Sequence, residues 1–182
     1  MLAITINEKT IETPGGATIL DVARVAGIYI PTLCDYPGVS PDGCCRVCLV
    51  EVEGSPKLVA ACTTPVVNGM RILTHSKKVL ETRRTIVELM LVRHPLECTT
   101  CTSHGDCELA RLCRELDIRT SRYASELDEA HRYPIDDKNP FILRDRNKCV
   151  LCGRCVRVCD AFAQYHAIDL QGRSSRVIVD TA

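Results

Sequence analysis

Apolar and polar residues alternate along the start of the chain, with one short break. Residues 2–7 and 10–13 alternate on either side of Glu8-Lys9, and two such runs so close together predict a β-hairpin. Pro14-Gly15-Gly16 is expected to end it. Residues 48–53, 58–62 and 71–74 are rich in strand-forming side chains and predict three more strands.

A helical pattern lies between the hairpin and the later strands. Thr18, followed three residues later by Asp21, resembles a capping box with Asp in place of the usual Glu. Gly27 is placed to close the helix. The apolar residues that share one face of this helix are Ile19, Val22, Ala23 and Ala26. A hairpin, a helix, a cysteine-containing loop and further strands predict a small α+β unit over residues 1–75.

The second half of the chain has helical patterns first and strand patterns last. Ser76 is predicted to cap a helix that runs to about residue 93, because Pro95 disfavours helical geometry at His94. Residues 107–116 predict another helix, residues 120–140 a charged linker, and residues 148–162 a cysteine loop followed by a helix. Residues 167–170 and 176–179 are expected to pair around Gly172. The partner face of the first of these helices comprises Val79, Arg83, Ile86, Val87 and Met90.

Composition narrows the class of protein. Two Phe, five Tyr and no Trp are few large rings for 182 residues, so we expect small units held together by something besides apolar burial. Twenty-three basic residues balance twenty-three acidic ones, which leaves no global field to recruit nucleic acid. No apolar run approaches the roughly 18–20 residues that a membrane span needs. The first residues lack a secretory pattern, so we expect a cytoplasmic, reduced protein with protein partners.

Thirteen cysteines are the main chemical feature, and eleven of them fall into three groups. A disulfide framework would require a secreted context, whereas an odd total and C-x-x-C spacings favour metals or redox thiols. Cys44 and Cys113 lie outside the groups and have no convincing base as a partner, which argues against thiol catalysis. We expect Cys44 to be a buried, inert thiol and Cys113 to belong to the apolar stripe of its helix.

The first group has gaps of ten, two and thirteen residues. A two-iron cluster needs four thiolates, and the glycines and prolines of residues 37–43 suit a loop that wraps closely around it. A structural zinc site would normally use two C-x-x-C knuckles, and only one is present, so a zinc-dependent interaction module is the weaker alternative. The group comprises Cys34, Cys45, Cys48 and Cys62.

The second group has the pattern H-x3-C-x2-C-x5-C. Three thiols leave a four-iron cluster one ligand short, and both His94 and Cys113 are available; the apolar stripe around Cys113 favours His94. A histidine at a helix C-terminus is also favourable for ordinary dipole reasons. The candidate ligands are His94, Cys98, Cys101 and Cys107. The histidines expected to be solvent-exposed are His75, His104, His131 and His166.

The third group, C-x2-C-x2-C-x3-C, has the ferredoxin spacing for four-iron clusters. In that motif the fourth cysteine serves a second cluster, whose own cysteine run is not found in the 182 residues. Either the sequence is the front part of a longer polypeptide, which we favour, or Cys159 closes an isolated cluster. Asp160 also replaces the usual Pro. The group comprises Cys149, Cys152, Cys155 and Cys159.

Four segments are typical of one known family: IPTLC at 30–34, CRVCLVEV at 45–52, NPF at 139–141 and NKCVLCGRC at 147–155. They resemble the N-terminal electron-transfer region of NAD(P)-linked formate dehydrogenases, [FeFe] hydrogenases and hydrogenase diaphorase subunits. The ten-residue first gap and the pattern of one histidine with three cysteines resemble the large iron–sulfur subunit of respiratory complex I. The resemblance implies a 2Fe-2S ferredoxin-like (β-grasp) domain at 1–75, a helical 4Fe-4S domain with histidine and cysteine ligands at 76–119, a linker at 120–140 and a ferredoxin-type 4Fe-4S segment at 141–182, incomplete at its C-terminus.

The resemblance also implies a function. Single electrons would pass between a flavin- and iron–sulfur-bearing NAD(P)(H)-handling subunit and a catalytic hydrogenase or formate dehydrogenase centre, with residues 139–159 closest to the formate dehydrogenase type. The alternative is the large iron–sulfur subunit of a complex I-like NADH dehydrogenase. The implied cofactors are one 2Fe-2S cluster, one 4Fe-4S cluster with His94 as a ligand, and at least one further 4Fe-4S cluster. No nucleotide-binding fingerprint is present, and we expect no catalysis by this chain alone.

Overall fold

The computed structural model describes residues 1–123 and 133–181. The chain divides into two compact units, residues 1–86 and 87–182, and each is described here by itself. Within the described residues, no helix is both long enough and apolar enough to cross a membrane. The middle of the predicted linker at 120–140, and His131 with it, lies outside the described residues.

A five-stranded sheet forms the first unit. Its strands are β1 (Leu2–Ile6), β2 (Lys9–Thr13), β3 (Leu49–Val52), β4 (Val59–Ala60) and β5 (Arg71–Leu73). The strand order is β2-β1-β5-β3-β4, in which β1 pairs in parallel with β5 and the other pairs are antiparallel. The predicted hairpin is confirmed, and its turn residues Asn7 and Glu8 have φ of 47° and 71°, the positive values that a tight hairpin with twisted strands requires. The predicted later strands are confirmed too, with shorter bounds.

Helix α1, Ile19–Val25, begins with the predicted capping box. The Asp21 amide donates to Thr18 Oγ1 at 3.2 Å, and the Thr18 amide donates to Asp21 Oδ2 at 3.0 Å. The hydrogen bond from the Thr18 side chain holds the pKa of Asp21 below its usual range. Gly27 follows the helix with φ of 70°, where a side chain would be strained.

Small aliphatic side chains make the core of this unit, and two cysteines lie among them. Cys48 and Cys62 are 1% and 2% exposed. Each fully buried aliphatic side chain contributes about 1.5–3 kcal/mol, so strands and helix are held without large aromatic rings. The packed aliphatic side chains therefore hold two candidate ligands, Cys48 and Cys62, in place. The aliphatic residues around them include Ile4, Ile6, Ile19, Leu20, Val22, Val50 and Ile72.

Helix α2, Lys77–Leu91, starts at the predicted position. The Val79 amide donates to Ser76 Oγ at 3.3 Å, which confirms the N-cap. Val79, Arg83 and Val87 are buried, as the predicted partner face requires. The helix ends at Leu91, and the His94 amide still reaches the Leu91 carbonyl at 3.2 Å, so His94 lies just beyond the helix end.

In the part of the second unit that the structure describes, short helices and hairpins follow the end of α2. Its elements are α3 (Glu108–Glu115), β6 (Asp136–Asn139), β7 (Ile142–Arg144), α4 (Arg154–Val158), β8 (Ile168–Gln171) and β9 (Ile178–Thr181). Helix α3 and the pairing of β8 with β9 are confirmed predictions. The hairpin of β6 and β7 was not predicted: β6 has the sequence DDKN, which lacks strand-forming side chains, and it falls in the segment assigned to the linker.

Ion pairs tie the unpredicted hairpin to β9. Arg144 Nη2 of β7 lies 3.3 Å from Asp180 Oδ1 of β9 and 2.8 Å from Asp136 Oδ2 of β6. Arg146, just after β7, adds a second pair, with its Nη2 2.8 Å from Asp180 Oδ2. Hydrogen bonds from these arginines, Arg144 on Asp136 and Arg146 on Asp180, hold the pKa of each carboxyl below its usual range. Arg146 opens the short turn that leads to Cys149, so these contacts position the third cysteine group.

Candidate metal centres

The first cysteine group converges where strands β3 and β4 pair. Cys48 directly precedes β3 and Cys62 follows β4, and the pairing of Leu49 with Ala60 brings the two ends together. Cys48 Sγ lies 3.4 Å from Cys62 Sγ. Cys34 is 1% exposed, and its thiol makes hydrogen bonds with Cys45 and Cys62. All four predicted residues of this group therefore meet in one place.

The sulfur atoms of this group strongly influence one another's protonation. Hydrogen bonds from neighbouring thiols, led by that of Cys44, lower the pKa of Cys34. The same contacts with Cys34 raise the pKa values of Cys45 and Cys62, while a hydrogen bond with Cys62 lowers that of Cys48 to about 7. Thiols packed this closely favour a thiolate that the others solvate, and the thiolate is the form that binds metal.

Cys44 does not behave as predicted. It was expected to be a buried, inert thiol, but it is exposed and its thiol contacts Cys34. This hydrogen bond with Cys34 raises the pKa of Cys44. The prediction is wrong because the loop turns sharply at Gly43, with φ of 66°, and Arg46, with φ of 58°. A side chain at position 43 would also approach Thr63 Cγ2 to 3.1 Å.

Arg83 anchors the backbone on both sides of Cys48, a role that sequence reasoning missed. Its Nε donates to the Val47 carbonyl at 2.9 Å, and its Nη2 donates to the Leu49 carbonyl at 2.9 Å and the Thr74 carbonyl at 3.4 Å. The side chain is 5% exposed. The sequence offered one sign of this role: Arg83 is the only charged residue on the predicted partner face of α2, whose other residues are apolar.

The second group surrounds a cavity of about 370 Å³ in the second unit. Cys98 begins a single helical turn, Cys98–Thr100, and Cys107 caps α3, its sulfur accepting a hydrogen bond from the Ala110 amide at 3.5 Å. All four predicted ligands line the cavity, so the structure brings this group together as well. The lining residues that bear on the chemistry are His94, Cys98, Cys101, Cys107, Cys113 and Lys148.

His94 carries a ring nitrogen suited to metal ligation. Its Nδ1 is buried and has no hydrogen-bond partner among residues 1–123 and 133–181. Burial lowers the pKa of His94, the nearby Lys148 ammonium lowers it further, and Asp145 opposes them. The imidazole is therefore held neutral, which is the form that binds metals. A buried nitrogen of this kind, in a cavity with three thiols, fits a fourth ligand to a cluster.

Cys113 and His104 also lie at this cavity. Cys113 is half-buried rather than in the core, and burial raises the pKa of its thiol. It therefore remains an available alternative to His94. His104 is exposed, as predicted, but its Nδ1 lies 2.8 Å from the Cys98 carbonyl oxygen. His75 and His166 are exposed too, as predicted.

The third group lies on the loop before α4 and on α4 itself. Cys149 is exposed at the surface, but partial desolvation of its thiol by the surrounding protein raises its pKa, and the nearby thiols of Cys152 and Cys155 add to that effect. Cys159 is the C-cap of α4, where its sulfur accepts a hydrogen bond from the Ala167 amide at 3.4 Å. Gly153, with φ of 67°, makes the turn from the loop into α4. The structure thus groups the first three cysteines and sets Cys159 against the start of the β8 segment.

The donor types at the three places fit iron–sulfur clusters. None of the thirteen cysteines, all of which lie in the described residues, forms a disulfide. In those residues no three His, Cys, Asp or Glu side chains converge on a point suited to a single metal ion. Clusters use sulfur ligands spread around an inorganic core, with an occasional histidine, and that is the donor set present.

Comparison with protein families gives three matches along the chain. Residues 1–77 match a 2Fe-2S iron-sulfur cluster binding domain. Residues 83–122 match the NADH-ubiquinone oxidoreductase-G iron-sulfur binding region. Residues 141–168 match a 4Fe-4S binding domain. Each match contains one of the three cysteine groups.

Two curated relatives are much longer than this chain. The NADPH-Fe(3+) oxidoreductase subunit alpha of Geobacter sulfurreducens is 41% identical over 181 residues, which is 100% of this chain and 21% of that protein. The NADP-reducing hydrogenase subunit HndD of Solidesulfovibrio fructosivorans is 42% identical over 88% of this chain and 28% of its own length. The matched residues therefore span 21% and 28% of these two relatives.

A solved structure extends the likeness to nearly the whole chain. A chain of an NAD+-reducing [NiFe]-hydrogenase, crystallised in the H2-reduced state, superposes with a TM-score of 0.88 at 30% identity. The match covers 99% of this chain and 74% of that one. The chain belongs to the family of iron–sulfur electron-transfer subunits of NAD(P)-linked hydrogenases and complex I-like oxidoreductases.

Proposed function

We propose that this chain is an electron relay with three metal centres. The observation that carries the proposal is the convergence of the first group: Cys34, Cys45 and Cys62 share hydrogen bonds, and Cys48 Sγ lies 3.4 Å from Cys62 Sγ. The proposed ligands are Cys34, Cys45, Cys48 and Cys62 for a 2Fe-2S cluster; His94, Cys98, Cys101 and Cys107 for a 4Fe-4S cluster; and Cys149, Cys152 and Cys155 for a further 4Fe-4S cluster, with Cys159 serving that cluster or a second one.

The chain's own residues hold the centres and adjust their potentials. A bound cluster supplies the redox chemistry by accepting and releasing one electron at a time. Backbone amides donate to the sulfur atoms of Cys107, Cys149 and Cys159 at 3.5, 3.4 and 3.4 Å. Hydrogen bonds to ligand sulfur are among the factors that set a cluster's potential, along with burial and ligand type.

The larger assembly is also a proposal, because the chain spans only part of its relatives. The relatives' names include an NADP-reducing hydrogenase and an NADPH-Fe(3+) oxidoreductase. We infer that this chain passes electrons between a flavin- and iron–sulfur-bearing NAD(P)(H)-handling subunit and a catalytic centre, and catalyses nothing by itself. A hydrogenase centre has the support of these names. The formate dehydrogenase assignment rests on the sequence resemblance, which is closest to that type at 139–159, and a complex I-like NADH dehydrogenase is the alternative.

Two finer assignments accompany this proposal. The sheet order β2-β1-β5-β3-β4, with β1 parallel to β5, supports a β-grasp domain of the ferredoxin type for residues 1–75. The proposed location is the reducing cytoplasm, because ligand thiols are kept reduced there and disulfides are rare.

Metal analysis of the full-length protein, purified without oxygen, tests the function. We expect iron and acid-labile sulfide in comparable amounts, with at least about ten irons per copy from one two-iron and two four-iron clusters. Paramagnetic resonance of the reduced protein should show a signal that Cys48→Ala removes and another that Cys101→Ala removes. Zinc in place of iron, with no acid-labile sulfide, would contradict the proposal and favour the zinc-dependent module.

A further inference from the structure

An ion pair connects the loops of the second and third centres, both of which lie in the unit 87–182. Arg154 Nη1 donates to Glu108 Oε2 at 2.5 Å, and Arg154 Nη2 donates to Glu108 Oε1 at 3.2 Å. Two parallel N–H···O bonds between one guanidinium and one carboxylate fix orientation as well as distance. The two residues are 46 positions apart in the sequence.

The position of this pair in the sequence ties it to the ligands. Glu108 directly follows Cys107, and Arg154 directly precedes Cys155. Each is also the first residue of its helix, α3 or α4. A shift of either side chain is therefore transmitted through one peptide unit to a proposed ligand.

Stability alone does not account for the pair. Its side chains are 25% and 37% exposed, and ion pairs this accessible to water contribute about 1 kcal/mol or less. Helix electrostatics does not explain Arg154 either, since a cation at the start of a helix is unfavourable. The pair instead fixes the distance and orientation between the start of α3 and the start of α4.

Two more contacts within this unit involve a residue next to a proposed ligand. Lys148, which precedes Cys149, lines the cavity of the second centre. Arg93, which precedes His94, donates from Nη1 to the Val177 carbonyl at 3.2 Å. Lys148 thus gives the two centres a second connection besides the ion pair, and Arg93 ties the segment before His94 to the residue that precedes β9.

We propose that Glu108 and Arg154 are positioning residues that fix the separation of the second and third centres for electron transfer between them. The inference rests on the proposed function, because it requires a cluster at each place. Electron transfer depends steeply on separation. A displaced centre therefore changes the transfer rate even where its own ligands are intact.

The test uses the full-length protein in its native complex. Glu108→Gln and Arg154→Gln each remove one charge, the double variant removes both, and E108R/R154E reverses the pair. Matched controls are Arg111→Gln and Glu115→Gln, which break an ion pair of 4.0 Å that lies within α3 alone. The measurements are iron and acid-labile sulfide content, spin–spin splitting between the reduced centres, and the rate of electron transfer after rapid reduction.

We expect the Glu108→Gln and Arg154→Gln variants to keep their iron and sulfide while the transfer rate between the two centres falls several-fold. Their spin–spin splitting should change, the reversed pair should restore both properties, and the controls should match the unmodified protein. Unchanged splitting and rate in fully loaded single variants would overturn the positioning role, as would loss of iron in those variants. Absence of iron and sulfide from the unmodified protein would instead overturn the proposed function.

Discussion

At the scale of single residues, Arg83 has the clearest consequence for the first centre. Its guanidinium binds the carbonyls of Val47 and Leu49, on either side of Cys48. Arg83→Gln should destabilise the protein by about 2–3 kcal/mol, because buried carbonyls lose a charged donor. The thermal midpoint should fall and the two-iron signal should decay faster. Lys77→Gln, which alters an exposed side chain on the same helix, should change neither measurement, and a stable Arg83→Gln variant would show that the anchor is dispensable.

Cys44 gives a second prediction at this scale. Its thiol contacts Cys34, yet the other four cysteines of the centre already supply a full ligand set. Cys44→Ala should therefore leave iron content and the two-iron signal unchanged, whereas Cys48→Ala should abolish that signal. Iron analysis and paramagnetic resonance on both variants make the comparison. Loss of the signal in Cys44→Ala would place this cysteine among the ligands.

At the scale of elements, the capping box of α1 predicts a pH dependence. The pKa of Asp21 in the folded protein is below its ordinary value of 3.8, so the carboxylate's contribution is present above that pH. It is lost as the pH falls through the lower, folded value. Asp21→Asn should cost about 1 kcal/mol or less at neutral pH, and this difference should shrink as the protein is acidified. Thermal midpoints of both proteins across the acidic range provide the measurement, and a constant difference would argue against the cap.

What the sequence predicts well at this scale is local. The first hairpin, the Thr18–Asp21 box and the Ser76 cap are encoded within a few neighbouring residues, and all three are confirmed. The environment of Cys44 depends on its contact with Cys34, which lies ten positions earlier in the sequence. The partner of Arg154, Glu108, lies 46 positions earlier. Such contacts leave no periodic signal. The spacing of cysteines identified which residues to group, but not the arginines that hold their loops.

At the scale of the whole molecule, the three proposed centres differ in their candidate ligands and surroundings. The first is built on the buried sheet core, with Cys34 and Cys48 both 1% exposed. The second is a cavity that pairs an imidazole with thiols, and the third is a loop on which Cys149 and Cys155 are exposed. Burial, ligand type and nearby hydrogen bonds all affect reduction potential. Clusters bound at the three places are therefore expected to have different reduction potentials.

The histidine of the second centre gives the most direct test of that view. His94→Cys exchanges a neutral ligand for a thiolate, which makes the bound cluster more negative and harder to reduce. In two-iron centres, exchanging two thiolates for imidazoles raises the potential from about −400 mV to at least about −150 mV, so one exchange should be worth at least about 125 mV. Redox titration followed by paramagnetic resonance should show the second centre shifted to lower potential by about that amount. The first and third centres serve as internal controls in the same titration. An unshifted second centre with full iron content would mean that His94 is not a ligand, and Cys113, at the same cavity, would then be the residue to replace.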